Sequence, residues 1–259
     1  MYYGMTTMIQ DNLTENLVRF VHHLNTTNSP IIKHPGFSQY ISDIKEYCKD
    51  AHAESRIALW PCLDDKTHET FFDKYYFYQD TWAARKIFEI RPKQVIDLGS
   101  TALLVGIISQ FVPTISIDIR PLSVSLPGLI CERAIITALP FDACTIEFLS
   151  SMSVIEHVGL GRYGDKLDAK GSIKAFMEIS RIMKPGGHFL FSVPLSHTPG
   201  LSFNAHRIFS KQQIMSLLSN FRLQEELFLF PEPGTERDVT TLKGFRFCVW
   251  CAHMIKMDN

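Results

Sequence analysis

The stretch Gln94-Val-Ile-Asp-Leu-Gly-Ser100 decides the fold of this chain. It is typical of a short apolar strand with a polar end, and the run over 101–112 that follows has the length and apolarity of a buried helix. The segment TISIDI, residues 114–119, then predicts a second strand that carries an acid near its end. A strand, helix, strand unit of this kind builds a parallel sheet with helices on both faces.

The same alternation continues toward the C-terminus. Further strands are predicted over 129–134, 146–151 and 188–194, and helices over 173–183 and near 212–218. The segments 222–230 and 244–254 predict two strands joined by the loop PEPGTERDVTT. The fold class is therefore α/β, an open parallel sheet closed by an antiparallel hairpin.

Residues 1–80 lack this regular alternation. Helical patterns over 13–24 and 40–53 flank a turn-rich stretch, and an aromatic run then leads into a helix that should end at Arg91, because proline at position 92 disfavours helix at the residue before it. We expect a small helical and aromatic extension over residues 1–80 that covers part of the pocket of a main domain over 81–259.

Composition and charge exclude several classes of function. The chain has 259 residues, of which 46% are hydrophobic, and 26 basic against 27 acidic residues, so nucleic acid is not the expected partner. The apolar stretch over 102–112 is far shorter than the roughly 20 residues that span a bilayer. The N-terminus also lacks the basic start of a secretion signal. We therefore expect no membrane span and a cytoplasmic location.

The cysteines and histidines do not predict a metal or disulfide framework. Of the six cysteines only Cys248 and Cys251 lie close in sequence, on a predicted strand where residues three apart point to opposite faces. The histidines of the N-terminal region have no ligand-like spacing with acids or cysteines. No metal is expected.

Polar residues stand at the predicted strand ends, where the ligands of an open parallel sheet bind. Asp97 and Gly99 lie where the first strand turns into its helix, and Asp118 lies at the tip of the second strand, where an acid can accept both hydroxyls of a ribose. Together they indicate a nucleoside-containing cofactor. The alternative is that Asp97 only caps the following helix and Asp118 faces water.

Six blocks, taken in order, resemble the class I S-adenosylmethionine-dependent methyltransferases: VIDLGS, IDIRP, ALPF, SVIEHVGLGRYGD, RIMKPGGHFLFSVP and FNAHRIFS. The run EHVGLGRYGD more narrowly resembles a domain-of-unknown-function branch of that superfamily. The resemblance covers about residues 71–230 and implies a Rossmann-like sheet of five parallel strands and a final antiparallel hairpin, with S-adenosylmethionine as cofactor. The cofactor contacts it implies are Asp97, Gly99, Ser100, Asp118, Ile119, Ser151 and Ser153.

Other residues are candidates for catalysis or for ligand contacts. Glu156 and His157 follow the fourth strand, where a histidine can accept a substrate proton and a carboxylate can orient it; the alternative is a local brace. His206 is a second candidate base, or part of a capped turn. The substrate contacts we expect are Arg162, Tyr163, Asn204 and Arg207, although the glycine-rich loop around Tyr163 could be only a tight surface turn. Tyr78 and Gln79 are expected to cap the cofactor.

Two departures from the methyltransferase pattern leave alternatives open. Thr101 and Leu103 stand where relatives carry glycines, and Ile135 stands where many carry an acid that binds the adenine amine. The function indicated is methyl transfer from S-adenosylmethionine to an oxygen or nitrogen of a small molecule, sugar or lipid intermediate. The alternatives are a non-catalytic binding or scaffold protein of this fold, and a nucleotide-sugar-modifying enzyme with phosphates near Arg162 or Arg207.

Overall fold

The structure is a computed structural model that describes residues 13–50, 58–230, 238–242 and 244–258. The described residues form two compact units that meet in sequence at Phe71 and Phe72. The sequence placed this division at residue 80, which lies inside the continuous helix Lys74–Ile90. That helix belongs to the larger unit because Trp82 and Ile87 pack into its core.

The smaller unit is helical, as the sequence predicted. It contains α1 (Leu13–Thr26), a short 3-10 helix (Pro30–Lys33) and α2 (Phe37–Asp50). Both α-helices are amphipathic, and they bury a small core built on Leu17, Phe20, Phe37 and Leu59. The predicted second helix extended to residue 53, and residues 51–57 lie outside the described part of the chain.

The larger unit is built on a seven-stranded sheet. Its strands are β1 (Val95–Leu98), β2 (Thr114–Asp118), β3 (Leu129–Arg133), β4 (Ile146–Met152), β5 (Met183–Leu195), β8 (Phe221–Leu229) and β9 (Cys248–Lys256). The spatial order is β3-β2-β1-β4-β5-β9-β8, with β1 to β5 parallel and β9 antiparallel to both of its neighbours. The predicted fold class, a Rossmann-like methyltransferase sheet, is confirmed. The order reverses between β1 and β4, which is where such sheets bind ligands.

The larger unit's helices lie on both faces of this sheet. They are α3 (Lys74–Ile90), α4 (Ala102–Ile108), α5 (Gly171–Ile182) and α6 (Lys211–Leu217). Side chains alternate along the central strands, so Phe189 and Phe191 join the core under α5 while Leu190 joins the core under α3 and α4. Cys248 and Cys251 likewise enter opposite cores. No helix in the described ranges has the length and apolarity needed to cross a membrane.

Two features of the larger unit differ from the sequence prediction. β5 begins at Met183 rather than His188, because Met183 pairs with Ile146 before residues 184–187 bulge and pairing resumes between His188 and Phe148. A two-stranded ribbon, β6 (Gly200–Ser202) and β7 (His206–Ile208), also follows β5 where the sequence predicted only a loop.

Candidate active site

A cleft opens at the carboxyl ends of β1, β2 and β4. Its cavity volume is about 220 Å³, and its floor is formed by strand ends while α3 and the loop after β4 form its rim. The residues that line it are Tyr76, Leu98, Gly99, Ser100, Thr101, Ile117, Asp118, Ile119, Arg120, Ala134, Ile135, Ile136, Met152, Ser153, Val154, His157, Val158, Tyr163 and Asp165.

Gly99 and Asp118 lie side by side at the ends of the neighbouring strands β1 and β2 and both line this cleft. Gly99 has a φ of +69°, and a Cβ added there would lie 3.1 Å from Asp118 Oδ2 and 3.1 Å from Val154 Cγ1. Only glycine fits this position without strain. Asp118 Oδ1 accepts a hydrogen bond from the Arg120 backbone N at 2.6 Å, and no described residue bonds Oδ2. In the cleft, the Oδ2 oxygen of Asp118 and the backbone of Gly99 are therefore both accessible to a ligand.

Asp97 lies beneath the cleft and does not line it. Its side chain is wholly buried, and its carboxylate accepts hydrogen bonds from Ser100 N (3.0 Å), Ser100 Oγ (2.6 Å) and Ser150 Oγ (2.6 Å). Burial raises the pKa of Asp97 to about 6. The carboxylate holds the turn after β1, and the predicted cofactor contact of Asp97 stays a prediction. Asp97 does not cap α4, since the N-cap is Thr101.

The three candidate serines have different positions. Ser100 and Ser153 line the cleft, whereas the hydroxyl of buried Ser151 donates to Leu98 O at 3.1 Å and faces the interior. The Ser100 hydroxyl accepts from Met152 N at 3.0 Å, so it ties β1 to β4. Ser151, predicted to contact the cofactor, does not line the cleft. Its neighbour Met152 does.

α3 contributes Tyr76 to the cleft rather than the predicted Tyr78 and Gln79. Gln79 is fully buried, and its Oε1 accepts from the hydroxyls of Ser153 and Ser192, each at 2.8 Å, which ties α3 to the ends of β4 and β5. Tyr78 packs against Phe72 and Phe77 on the outside. Helix periodicity could have found Tyr76, because it precedes buried Gln79 by three positions and so shares its face.

Glu156 and His157 lie on a short 3-10 helix, Ile155–His157, directly after β4. The Nδ1 of His157 lies 2.6 Å from Ala205 O. Since a carbonyl only accepts, Nδ1 carries the proton and Nε2 keeps a lone pair. Burial lowers the pKa of His157 to about 4. At neutral pH His157 is therefore a neutral imidazole. Its side chain lines the cleft.

Glu156 lies behind His157, outside the cleft lining. Its Oε1 is 3.7 Å from His157 Nε2, and its buried Oε2 has no hydrogen-bond partner within the described chain. Burial raises the pKa of Glu156 to about 8. The side chain is therefore a neutral carboxylic acid at pH 7, able to donate a proton as well as accept one.

The loop after β4 is fixed in place by Asp165 and Arg207. Asp165 Oδ2 accepts from Gly159 N at 2.6 Å, and a Cβ on Gly159 would lie only 2.1 Å from Asp168 O. The Arg207 guanidinium donates to Val158 O, Ser172 Oγ, Asp168 O and Ala169 O. These donors hold the loop against α5, and the predicted substrate contact of Arg207 stays a prediction.

The remaining candidates divide between the cleft and its surroundings. Tyr163 lines the cleft, with its ring edge-on to His157 at a centroid distance of 5.4 Å. Arg162 is exposed and donates to Ala205 O at 3.0 Å. His206 and Asn204 do not line the cleft; the His206 ring packs edge-on against Phe247 at 4.8 Å.

The departures from the methyltransferase glycine pattern do not block the cleft. Thr101 caps α4 by accepting from Leu104 N, and its hydroxyl donates to Asp80 Oδ2 at 2.6 Å. Leu103 is exposed and outside the cleft lining. Ile135, at the position of the expected adenine acid, lines the cleft with Ile119 and forms an apolar wall. Tyr76 and Arg120 also line the cleft and were not predicted, although Arg120 stands two positions after Asp118 at the strand end.

Comparisons with known proteins agree with the fold. The model of a family described as Caenorhabditis protein of unknown function, DUF268, matches residues 140–228, and no curated protein matches the chain. A Galdieria sulphuraria structure assigned as a sarcosine dimethylglycine methyltransferase is 13% identical, with a TM-score of 0.51, over 70% of this chain and 86% of its own. It shares the methyltransferase fold.

Two further solved structures are similar over comparable lengths. The Burkholderia thailandensis 1,6-didemethyltoxoflavin-N1-methyltransferase is 16% identical, with a TM-score of 0.47, over 71% of this chain and 84% of its own. A SAM-dependent methyltransferase from Methanosarcina mazei is 12% identical, with a TM-score of 0.48, over 67% of this chain and 98% of its own.

Within the described residues there is no cluster of side chains that could hold a metal ion.

Proposed function

We propose that the larger unit binds S-adenosylmethionine and directs its methyl group to an oxygen or nitrogen of a small acceptor. The observation that carries the proposal is the Oδ2 of Asp118 at the end of β2, which no described residue bonds and which lies next to Gly99 in the cleft lining. A carboxylate in this place accepts the two hydroxyls of a ribose. The missing Cβ of Gly99 lets the ligand approach the backbone.

The residues around Asp118 fit the rest of an adenosyl cofactor. Ile119, Ile135 and Ile136 provide an apolar wall for a planar base, which backbone groups would hydrogen-bond in the absence of an acid. Ser153 and Met152 border the opposite side of the cleft. When bound, the cofactor supplies a methyl group on a positively charged sulfur, which an acceptor lone pair can attack.

His157 is the group we propose to accept the proton of the acceptor. Its Nε2 lone pair is available because Ala205 O holds the proton on Nδ1. A pKa of about 4 keeps the ring in its accepting form throughout the neutral range. Most of the rate enhancement would come from alignment of two bound molecules, since the chain itself forms no covalent bond. The more distant His206 and the buried Glu156 would act only through His157.

The proposed acceptor is a small molecule, sugar or lipid intermediate. The chain carries 26 basic and 27 acidic residues, so it lacks the cation excess with which proteins bind nucleic acid backbones.

The test is a calorimetric titration of the full chain with S-adenosylmethionine and S-adenosylhomocysteine. NAD and a nucleotide sugar serve as ligand controls, and Asp142→Ala, at an exposed acid outside the cleft, serves as the matched variant. We expect micromolar binding of both adenosyl compounds that Asp118→Ala weakens at least tenfold, about 1.4 kcal/mol, while Asp142→Ala leaves it unchanged. Absence of adenosyl binding would overturn the proposal, and heat from the nucleotide sugar alone would favour the other enzyme class.

A further inference from the structure

We infer that the acceptor carries an anionic group, a carboxylate or a phosphate, and that Arg120 and Arg162 bind it beside Tyr163. The inference rests on the proposed methyl transfer and names the chemical class of its acceptor. It begins from the two guanidinium groups that meet one aromatic ring at the rim of the cleft.

Arg120 and Arg162 both lie over the ring of Tyr163. The Cζ of Arg120 is 4.5 Å from the ring centroid, and the Cζ of Arg162 is 5.0 Å from it. Arg120 and Tyr163 line the cleft. The two arginines come from different elements, the end of β2 and the loop after β4, so the fold places two guanidinium groups against one ring.

Neither guanidinium has a carboxylate partner in the described part of the chain. Arg120 has no side-chain hydrogen bond or ion pair there, and Arg162 donates from one nitrogen to Ala205 O at 3.0 Å. A guanidinium carries five N–H donors in a planar fork, and stacking on a ring orients that plane while leaving the N–H edge free. The free edges are suited to the paired oxygens of a carboxylate or phosphate.

The carboxylates of the cleft do not satisfy these arginines. Asp118 accepts from the backbone of Arg120 rather than from its side chain. Asp165 accepts from Gly159 N through Oδ2, and its buried Oδ1 has no hydrogen-bond partner in the described chain, so it bonds neither arginine. Two exposed guanidinium groups against one ring, without a carboxylate partner in the described chain, can both donate to a bound anion. An anionic ligand is the complement that the rim of the cleft lacks.

The same ring connects the proposed anion site with the proposed base. Tyr163 stands edge-on to His157 at 5.4 Å, and Ala205 O accepts from both His157 Nδ1 and Arg162. An acceptor held by its anionic end at the arginines would therefore have its remaining atoms close to His157. This arrangement would select acceptors by the distance between their charge and their nucleophile.

The experiment measures binding of matched neutral and anionic probes to the full chain, with and without saturating S-adenosylhomocysteine, by ligand-observed NMR. The pairs are 4-hydroxybenzoate with 4-hydroxybenzamide and phenyl phosphate with phenol. We expect at least one anion to bind ten times more tightly than its neutral partner. Arg120→Gln and Arg162→Gln should each weaken it at least fivefold, and Arg222→Gln, on exposed β8, should not.

Ring variants separate stacking from loss of the fold. Tyr163→Phe keeps the ring and should keep anion binding, whereas Tyr163→Leu should weaken it as the arginine variants do. Equal binding of neutral and anionic partners, no binding of any anion, or wild-type affinity in both arginine variants would overturn the inference. Failure of S-adenosylhomocysteine to bind is a separate result, which overturns the proposed function instead.

Discussion

At the scale of single residues, Gly99 gives the sharpest test of how the cleft is built. Gly99→Ala places a side chain at a φ of +69° and 3.1 Å from Asp118 Oδ2, so we expect a loss of about 1–2 kcal/mol of stability and weaker cofactor binding. Gly106→Ala, in α4, is the matched control, because in the described chain no atom beyond the adjoining residues and the local helix backbone lies within 4 Å of the added Cβ, and alanine favours helix. Chemical denaturation measures both; equal stability of the two variants would contradict the account.

The buried acid Glu156 predicts an unusual pH dependence of stability. Its folded pKa of about 8 is raised from 4.5, so the stabilisation of its neutral form is complete below pH 4.5 and is lost as the pH rises to 8. His157, lowered from 6.5 to about 4, changes stability only below pH 6.5. Between pH 6.5 and 8 the loss from Glu156 should approach about 1.4 kcal/mol per pH unit.

Glu156→Gln should abolish that slope, while exposed Glu132→Gln should keep it. Urea denaturation at pH 6.5, 7.2 and 8 gives the comparison. If the free energy of unfolding changed with pH in the same way for the wild type and for Glu156→Gln, Glu156 would already be ionised in the folded chain.

The sequence located strand ends better than it located side chains. It could predict that Asp118 and His157 lie at the binding edge, because Asp118 ends β2 and His157 lies in the segment after β4. It could not predict that Asp97 is buried, since β1 is covered on both faces and by β2 and β4 on its edges. Nor could it predict that the Arg207 guanidinium donates to backbone carbonyls of the loop after β4, some forty residues earlier in the chain. These hydrogen bonds depend on how the segment that carries Arg207 packs against that loop.

At the scale of elements, Arg207 is expected to hold the loop after β4 closed. Arg207→Lys keeps the charge but cannot reach four acceptors at once, so we expect a local loss of about 2 kcal/mol. Hydrogen exchange should accelerate over residues 158–171 and stay unchanged in β9. Arg222→Lys is the control, since Arg222 bonds only the neighbouring Gln224 side chain. Uniform acceleration across the sheet would instead indicate global destabilisation.

Element types were predictable where periodicity was regular. The strands from β1 to β5 and the helices between them follow from apolar runs separated by turn residues. The extension of β5 to Met183 was not predictable, because Pro185 and two glycines predict a break, and only the pairing of Met183 with Ile146 restores the strand. The β6–β7 ribbon depends on three-residue strands, too short for a pattern in sequence.

At the scale of the whole molecule, the order of strands places the chemistry. The reversal of strand order between β1 and β4 brings residues from α3, three strand ends and one loop to a single cleft. The resemblance to methyltransferases predicted this topology, whereas the boundary between the two units was placed nine residues late because an aromatic run obscured the start of α3.

The most direct measurement is a map of amide chemical shifts on addition of S-adenosylhomocysteine to isotope-labelled protein. The account predicts that the largest shifts fall on Gly99, Asp118 and Ser153 and their neighbours, at three strand ends around one cleft, and that Asp118→Ala reduces them at equal ligand concentration. Saturable shifts confined to other parts of the molecule, or no shifts at millimolar ligand, would contradict it.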